Sequence, residues 1–218
     1  MDEPNLSRFA IVLCGAEEAG NVGSVCRAMK TMGFDRLILA GCPAYDDQRV
    51  ATLAVHAYDV YERAERYPSL ETALSRVSFA AGFTRRRGER RKAFSLSVED
   101  FAEQATTRDG TQALVFGNER TGLTREELDL CSIAVHIPVS SAFPSLNLAQ
   151  AVQIACYELR KHAIEGRDGS AEPAARIETS ETVSRIVEHL RTIGFFKITS
   201  DVELSVFLRD IAERAALT

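Results

Sequence analysis

The chain has 218 residues, a formal net charge of −5 and 45% hydrophobic residues, which is enough for one sizeable packed domain. No apolar run approaches the roughly 18 residues that a membrane span needs, and the acidic balance speaks against a uniformly basic polyanion binder. The polar start, Met1 to Arg8, lacks the basic-then-apolar pattern of a secretion signal, so a cytoplasmic protein is expected.

Phe9–Cys14 (FAIVLC) is a short apolar run closed by Gly15 and predicts a buried strand. Asn21–Met32 has helical period and ends at Gly33, a suitable C-cap. Val22, Val25, Cys26, Met29 and Met32 fall within an arc of roughly 120° at helical spacing, with Ser24, Arg27 and Thr31 opposite. Arg36–Ala40 predicts a second buried strand. Gln48–Ala64 and Ser69–Val77 have helical composition, and Ser78–Phe83 is a third strand. Gln112–Gly117 (QALVFG) is the most strand-like run of the chain. Thr124 with Glu127 three residues later forms a capping-box pattern, so a helix starts there. Ile133–Ile137 predicts a strand stopped by Pro138. Leu146–His162 predicts a long helix, apolar round much of its circumference and therefore buried.

Strands alternating with helices predict an α/β fold with a mainly parallel sheet covered on both faces. Composition shifts at Glu165–Pro173, dividing the chain into a domain over 1–164, a linker over 165–178 and a helical C-terminal extension over 179–218. In that extension Val183, Ile186, Val187, Leu190 and Ile193 mark an amphipathic helix ended by Gly194, and Ser200 with Glu203 forms a second capping pattern. The five cysteines are odd in number and lack a C-x-x-C pair, so reduced apolar thiols are expected rather than a disulfide framework or a zinc site.

Charge is unevenly spread. Thr84–Lys92 (TRRRGERRK) holds six basic residues and one acid, directly after the third strand. Three further segments place polar and glycine residues where a plain core would not. In Gly20–Gly33 a helix opening with Asn and Gly offers N–H groups to an anion, with Arg27 further in on the polar face. In Leu114–Leu123 (LVFGNERTGL) a buried strand runs into Gly117, Asn118 and Glu119, and ligands of open α/β sheets bind beyond such strand ends. In Ile137–Gln153 two prolines frame a loop, after which Ser145, Asn147 and Gln150 enter an otherwise apolar helix. Read singly, each of these can be a solvated face, a turn or a helix cap.

Together, GNVGSVCRAMKTMGF, ALVFGNERTGLTREEL and IPVSSAFPSLNLAQAVQIACYELR resemble the three motifs of the SpoU–TrmD (SPOUT) methyltransferases over roughly residues 8–162. The likeness is strongest to the TrmJ-like subgroup, which methylates cytidine or uridine ribose 2′-hydroxyls in the tRNA anticodon loop. The helices after the linker, with IGFF at 193–196, resemble that subgroup's extension in shortened form. The resemblance implies a C-terminal trefoil knot, an exception to the rule against threaded chains, a homodimer, S-adenosylmethionine as cofactor and no metal. It implies cofactor contacts at Phe83, Thr84, Arg85, Gly117, Ile137, Ser145 and Leu146. It implies catalytic roles for Arg27, in the pattern N-x-G-x-x-x-R, and for Asn21, Glu119, Ser145 and Asn147. The family often has a serine-arginine pattern where this chain has Thr84-Arg85-Arg86-Arg87. Arg86 aligns with the RNA-site arginine, and Arg85, Arg87, Arg90 and Arg91 complete a candidate RNA-contacting loop.

The reaction implied is attack of a ribose 2′-oxygen on a sulfonium methyl, for which alignment and management of charge on the oxygen are the demands. An arginine proton is very hard to remove. Stabilising the developing oxyanion and fixing the adjacent phosphate both remain open as the role of Arg27. Two other functions stay in view: methylation of ribosomal RNA, and a catalytically silent RNA-binding dimer of the same fold, which the intact motif residues disfavour. An unrelated nucleotide-binding domain lacks its fingerprint, since neither G-x-G-x-x-G nor a P-loop motif occurs.

Overall fold

The computed structural model describes residues 4–85, 95–165, 176–192, 205–206 and 208–209. Its first half contains β1 (Phe9–Cys14), α1 (Ala19–Thr31), β2 (Leu37–Ala40), α2 (Asp47–Ala54), a 3-10 turn at Val55–Ala57, α3 (Tyr58–Glu62), β3 (Glu65–Tyr67), α4 (Leu70–Leu74) and β4 (Phe79–Phe83). There follow β5 (Ser95–Ser97), α5 (Val98–Thr107), β6 (Gln112–Phe116), α6 (Arg125–Asp129), β7 (Ile133–His136), α7 (Leu148–Glu165) and α8 (Arg176–Thr192). The seven strands form one sheet in the order β3-β2-β1-β6-β4-β7-β5, and every pairing is parallel.

Alternation along the central strands divides the core in two. Phe9, Ile11 and Leu13 of β1 face α1, α2, α3, α5 and α7, and Ala10, Val12 and Cys14 face α4 and α6. The second face is built from small residues: Ala10, Ala40, Ala80, Ala113 and Ala134 all point into it. Gly82 belongs to the same economy of space, because a Cβ there would stand 2.6 Å from Leu128 Cδ1 and 2.9 Å from Cys131 Sγ. Short helices can therefore lie close on that side, which sets the height of α6 and of the loop before it.

Most predicted elements are present, and their buried faces follow the predicted arcs. In α1, Val22, Val25, Cys26 and Met29 are buried, and Met32 packs against the same core. The capping box at Thr124 forms in both directions: Glu127 N–H donates to Thr124 Oγ1 at 3.2 Å, and Thr124 N–H donates to Glu127 Oε2 at 2.7 Å.

Four local expectations differ. The helix expected over 48–64 breaks at Val55, whose φ of 54° no α-helix accommodates, and resumes as α3. β3 and β5 form at the two sheet edges with almost no hydrophobic pattern, from Glu-Arg-Tyr and Ser-Leu-Ser. The last strand stops at His136, one residue before Ile137, and the long helix starts at Leu148 rather than Leu146 because Asn147 caps it. That helix is not buried all round: Leu148, Val152, Ala155, Cys156 and Leu159 form the buried stripe, while Tyr157 and Ile164 are 51% and 58% exposed. In α8, Val183 and Val187 are buried and Ile186 is exposed. No helix of the described residues is long and apolar enough to cross a membrane.

Candidate functional site

β4, β6 and β7 are neighbours, with Phe83 level with Phe116 on one side and with Val135 on the other. Their carboxyl ends release three loops at one edge of the sheet, where open α/β folds place ligands. Between these loops lies a cleft with about 830 Å³ of unfilled space continuous with solvent. Its wall includes Phe83, Thr84 and Arg85 after β4, the run from Phe116 to Gly122 after β6, Ile137 and Val139 after β7, and Pro144, Ser145, Leu146 and Leu148 at the start of α7. All seven residues expected to contact cofactor line this one cleft: Phe83, Thr84, Arg85, Gly117, Ile137, Ser145 and Leu146. The Phe83 and Phe116 rings stack at 4.5 Å with an interplanar angle of 19°, which gives the cleft an aromatic floor.

The loop after β6 is a closed turn. Gly122 N–H donates to Asn118 O at 3.0 Å, and Asn118 Oδ1 accepts from Arg120 N–H at 3.1 Å and from Thr121 N–H at 2.8 Å. Gly122 has a φ of +68°. A Cβ on Gly117 would lie 2.2 Å from both Gly122 C and Leu123 N. Glycine is therefore required at 117 by two backbones crossing, and the main chain itself forms the cleft wall there.

A second constellation sits beside the cleft. Asn147 Oδ1 accepts from Ala149 N–H at 2.9 Å, capping α7, and Gln150 Oε1 accepts from Asn147 N–H at 3.3 Å. Because Ala149 N–H can only donate, the Asn147 amide is oriented, with its Nδ2 donating to Asn21 Oδ1 at 2.9 Å. Asn21 Nδ2 in turn donates to Glu119 Oε1 at 2.9 Å. Glu119 also accepts from Glu17 N–H at 3.0 Å and Glu18 N–H at 3.2 Å, just ahead of α1. Burial pushes the Glu119 pKa up, but the Asn21 amide and the surrounding backbone N–H groups outweigh it and hold the carboxyl below its ordinary value. The anion expected at the opening of α1 is thus supplied by the chain itself. The relay runs one way, from the N-terminus of α7 through Asn147 and Asn21 to an ionised Glu119.

Four of the five residues expected to be catalytic come together here: Asn21, Glu119 and Asn147 in the relay, and Ser145 on the cleft wall. Arg27 does not join them. It lies six residues beyond Asn21, about 9 Å further along the helix and on a different face, and it is solvent-exposed and absent from the cleft wall. Of the expected RNA-contacting arginines, Arg85 lines the cleft, and Arg86, Arg87, Arg90 and Arg91 lie outside the described residues. Sequence reasoning placed Asn118 at the ligand end of its strand without giving it a role, and it missed Arg120. The Asn-x-x-Thr-Gly spacing is a readable turn signal for the first, whereas nothing local marks Arg120 as a cleft residue.

The sequence profile of the SpoU rRNA methylase family matches residues 8–157. The chain belongs to that family. Among relatives, it is 32% identical over 223 residues to a tRNA (cytidine/uridine-2′-O-)-methyltransferase, TrmJ of Photorhabdus laumondii, covering 96% of this chain and 90% of the relative. The structure of TrmJ from Z. mobilis superposes with a TM-score of 0.77 at 27% identity, covering 96% of this chain and 92% of the other. A second family member, the SpoU methyltransferase AviRb of Streptomyces viridochromogenes in complex with the cofactor AdoMet (S-adenosylmethionine), superposes with a TM-score of 0.58 at 25% identity, covering 75% of this chain and 64% of the other. Of the three resembling segments, the second and third line the cleft together with Phe83, Thr84 and Arg85, and the first joins the relay through Asn21.

Proposed function

We propose that the protein transfers a methyl group from S-adenosylmethionine to a ribose 2′-hydroxyl of tRNA, in the anticodon loop. The observation that supports this most strongly is that the second and third resembling segments line one cleft at the strand ends, and the first is tied to it through Asn21. The cleft suits an adenosine carrying a short polar chain: Phe116, Ile137, Leu146 and Ala151 offer apolar surface, and Gly117 offers bare main chain. The cofactor supplies an activated methyl on a good leaving group. The chain's own part is alignment and exclusion of competing water. Ser145 and Leu146 lie immediately before Asn147, so the relay ties the cofactor wall to α1.

Three finer features belong to this reading. The first is the trefoil knot. β4 and β5 are consecutive strands that flank β7. This order, with the chain leaving β7 between those two strands, supports the knot that the resemblance implies. The second is a homodimer formed through α1 and α7, for which the exposed Tyr157 and Ile164 on α7 supply apolar surface. Such a dimer carries the exposed Arg27 into the shared surface where the RNA lies. The third is an RNA-contacting loop from Arg85 to Arg91, in a cytoplasmic protein whose residues 1–164 form the methyltransferase domain and whose residues 179–218 form an extension.

The test is transfer of labelled methyl to separate tRNA and rRNA pools, followed by mapping of the modified nucleotide. Label in a tRNA anticodon-loop ribose is expected. Label confined to rRNA moves the substrate to ribosomal RNA, and binding of RNA and cofactor without transfer makes the protein a silent binder.

A further inference from the structure

We infer that Arg120 is the cleft-side phosphate contact of the substrate nucleotide, and that Glu17 is the internal anion it exchanges for that phosphate. This rests on the methyltransferase reading above.

Arg120 and Arg85 are the two cations among the described residues lining the cleft. The backbone of Arg120 is fixed by the Asn118 turn, so its side chain projects from a rigid base. Its Nε stands 3.2 Å from Glu17 Oε2, and the two side chains are 79% and 46% exposed. Among the described residues this is its one side-chain polar contact. An exposed ion pair of this kind contributes at most about 1 kcal/mol, so a stronger partner displaces it readily. A phosphate is such a partner, because its oxygens match the planar guanidinium fork in pairs.

The surroundings make the pairing meaningful. Glu17 and Glu18 are exposed acids beside the cleft, and Glu119 adds a third charge that its three N–H donors keep ionised. An acidic rim repels RNA unless something offsets it, and Arg120 does so at the point where Glu17 meets the wall. A substrate ribose presented to the cofactor at the mouth of the cleft brings its own phosphate to the rim. That phosphate fixes the register of the nucleotide without reading its base, and it competes with Glu17 for the same guanidinium.

The test uses the full-length protein, tRNA and S-adenosylhomocysteine, with separate binding measurements for each. Arg120→Ala is expected to weaken tRNA binding about tenfold, to lower the slope of log affinity against log salt by about one, and to leave S-adenosylhomocysteine affinity within twofold. Glu17→Gln is expected to act in the opposite sense, tightening tRNA binding several-fold, and to lose that effect when Arg120 is already alanine. A purely structural role for the pair moves both variants in the same direction. If Arg120→Ala weakens S-adenosylhomocysteine instead of tRNA, the guanidinium meets the cofactor's carboxylate and the inference is overturned. Unchanged tRNA affinity and salt slope also overturn it. Wild-type protein that binds neither molecule overturns the methyltransferase reading itself, an outcome separable from these because it precedes any variant.

Discussion

Glu119→Gln isolates the charge at the end of the relay while nearly conserving its shape. In the wild type, Oε1 accepts from Asn21 Nδ2 and Glu18 N–H, and Oε2 accepts from Glu17 N–H. A glutamine can keep its oxygen towards Asn21 and Glu18, but its NH₂ then faces the Glu17 N–H and that bond is lost. A hydrogen bond to a charged group is worth about 1.5–3 kcal/mol, and a neutral one about 1. One lost and two weakened bonds thus cost about 5 kcal/mol at full burial, taking mid-range values. Glu119 is half-buried, so solvent screening reduces this to about 2 kcal/mol, or a fall in Tm of about 4–8 °C for a chain of this size at neutral pH. The sign of the pH dependence follows from the depressed carboxyl. Its stabilisation is complete above the ordinary value of 4.5 and is lost as pH falls through the lower folded value. The difference in Tm between wild type and variant, followed by circular dichroism, should be full at pH 7 and should shrink below pH 4.5. A difference that is the same at both ends of that range would mean that Glu119 acts through packing, and a glutamine variant as stable as wild type at pH 7 would refute the account of the relay.

Arg27→Ala should remove methyl transfer by roughly 10²–10³-fold, as for other single groups that stabilise a developing oxyanion. Its Tm should stay within a degree or two of wild type, since Arg27 is exposed; near-normal turnover at saturating tRNA makes it a surface residue. Gly117→Ala forces apart two backbones now 2.2 Å from the added Cβ, at a cost of about 3 kcal/mol or more. Calorimetry should show loss of S-adenosylhomocysteine binding even where the sheet remains folded. Val55→Gly should stabilise the protein: relief of a β-branched residue at φ 54° gains about 1–3 kcal/mol, and the added freedom of the unfolded chain takes back about 1. A rise in Tm of a few degrees is the expected reading, and a fall would show that the Val55 side chain contributes more than the strain removes.

The legibility of the molecule tracks how local each cause is. β1, β2, β4, β6 and β7 were readable because strands buried on both faces must be apolar throughout. β3 and β5 were not, because edge strands of three residues owe their state to a neighbour's free hydrogen-bonding edge rather than to their own side chains. α5 carried a readable signal in Val98, Phe101, Ala102 and Ala105, at helical spacing after the capping Ser97, that went unread. The break at Val55 had no signal, since a valine is among the last residues expected at positive φ. At the site, the motif likeness grouped the seven cleft residues together and Asn21, Glu119 and Asn147 apart from them, but it carried no hydrogen bond between any two. That Asn147 points at Asn21, and that Arg120 pairs with Glu17, depend on where α1 begins.

The relay also bears on how the protein is made. Its two side-chain bonds join positions 126 and 98 residues apart. Contacts between such distant points close late, after the loops between them have been ordered. A nascent chain that has emerged as far as β6 and the turn after it already contains Asn21, Gly117 and Glu119, yet Asn147 is still inside the ribosome, and neither the wall after β7 nor the one at the start of α7 exists. Under the function proposed above, ligand-binding competence therefore waits for α7, and chains made only as far as β6 do not hold cofactor through a half-built site.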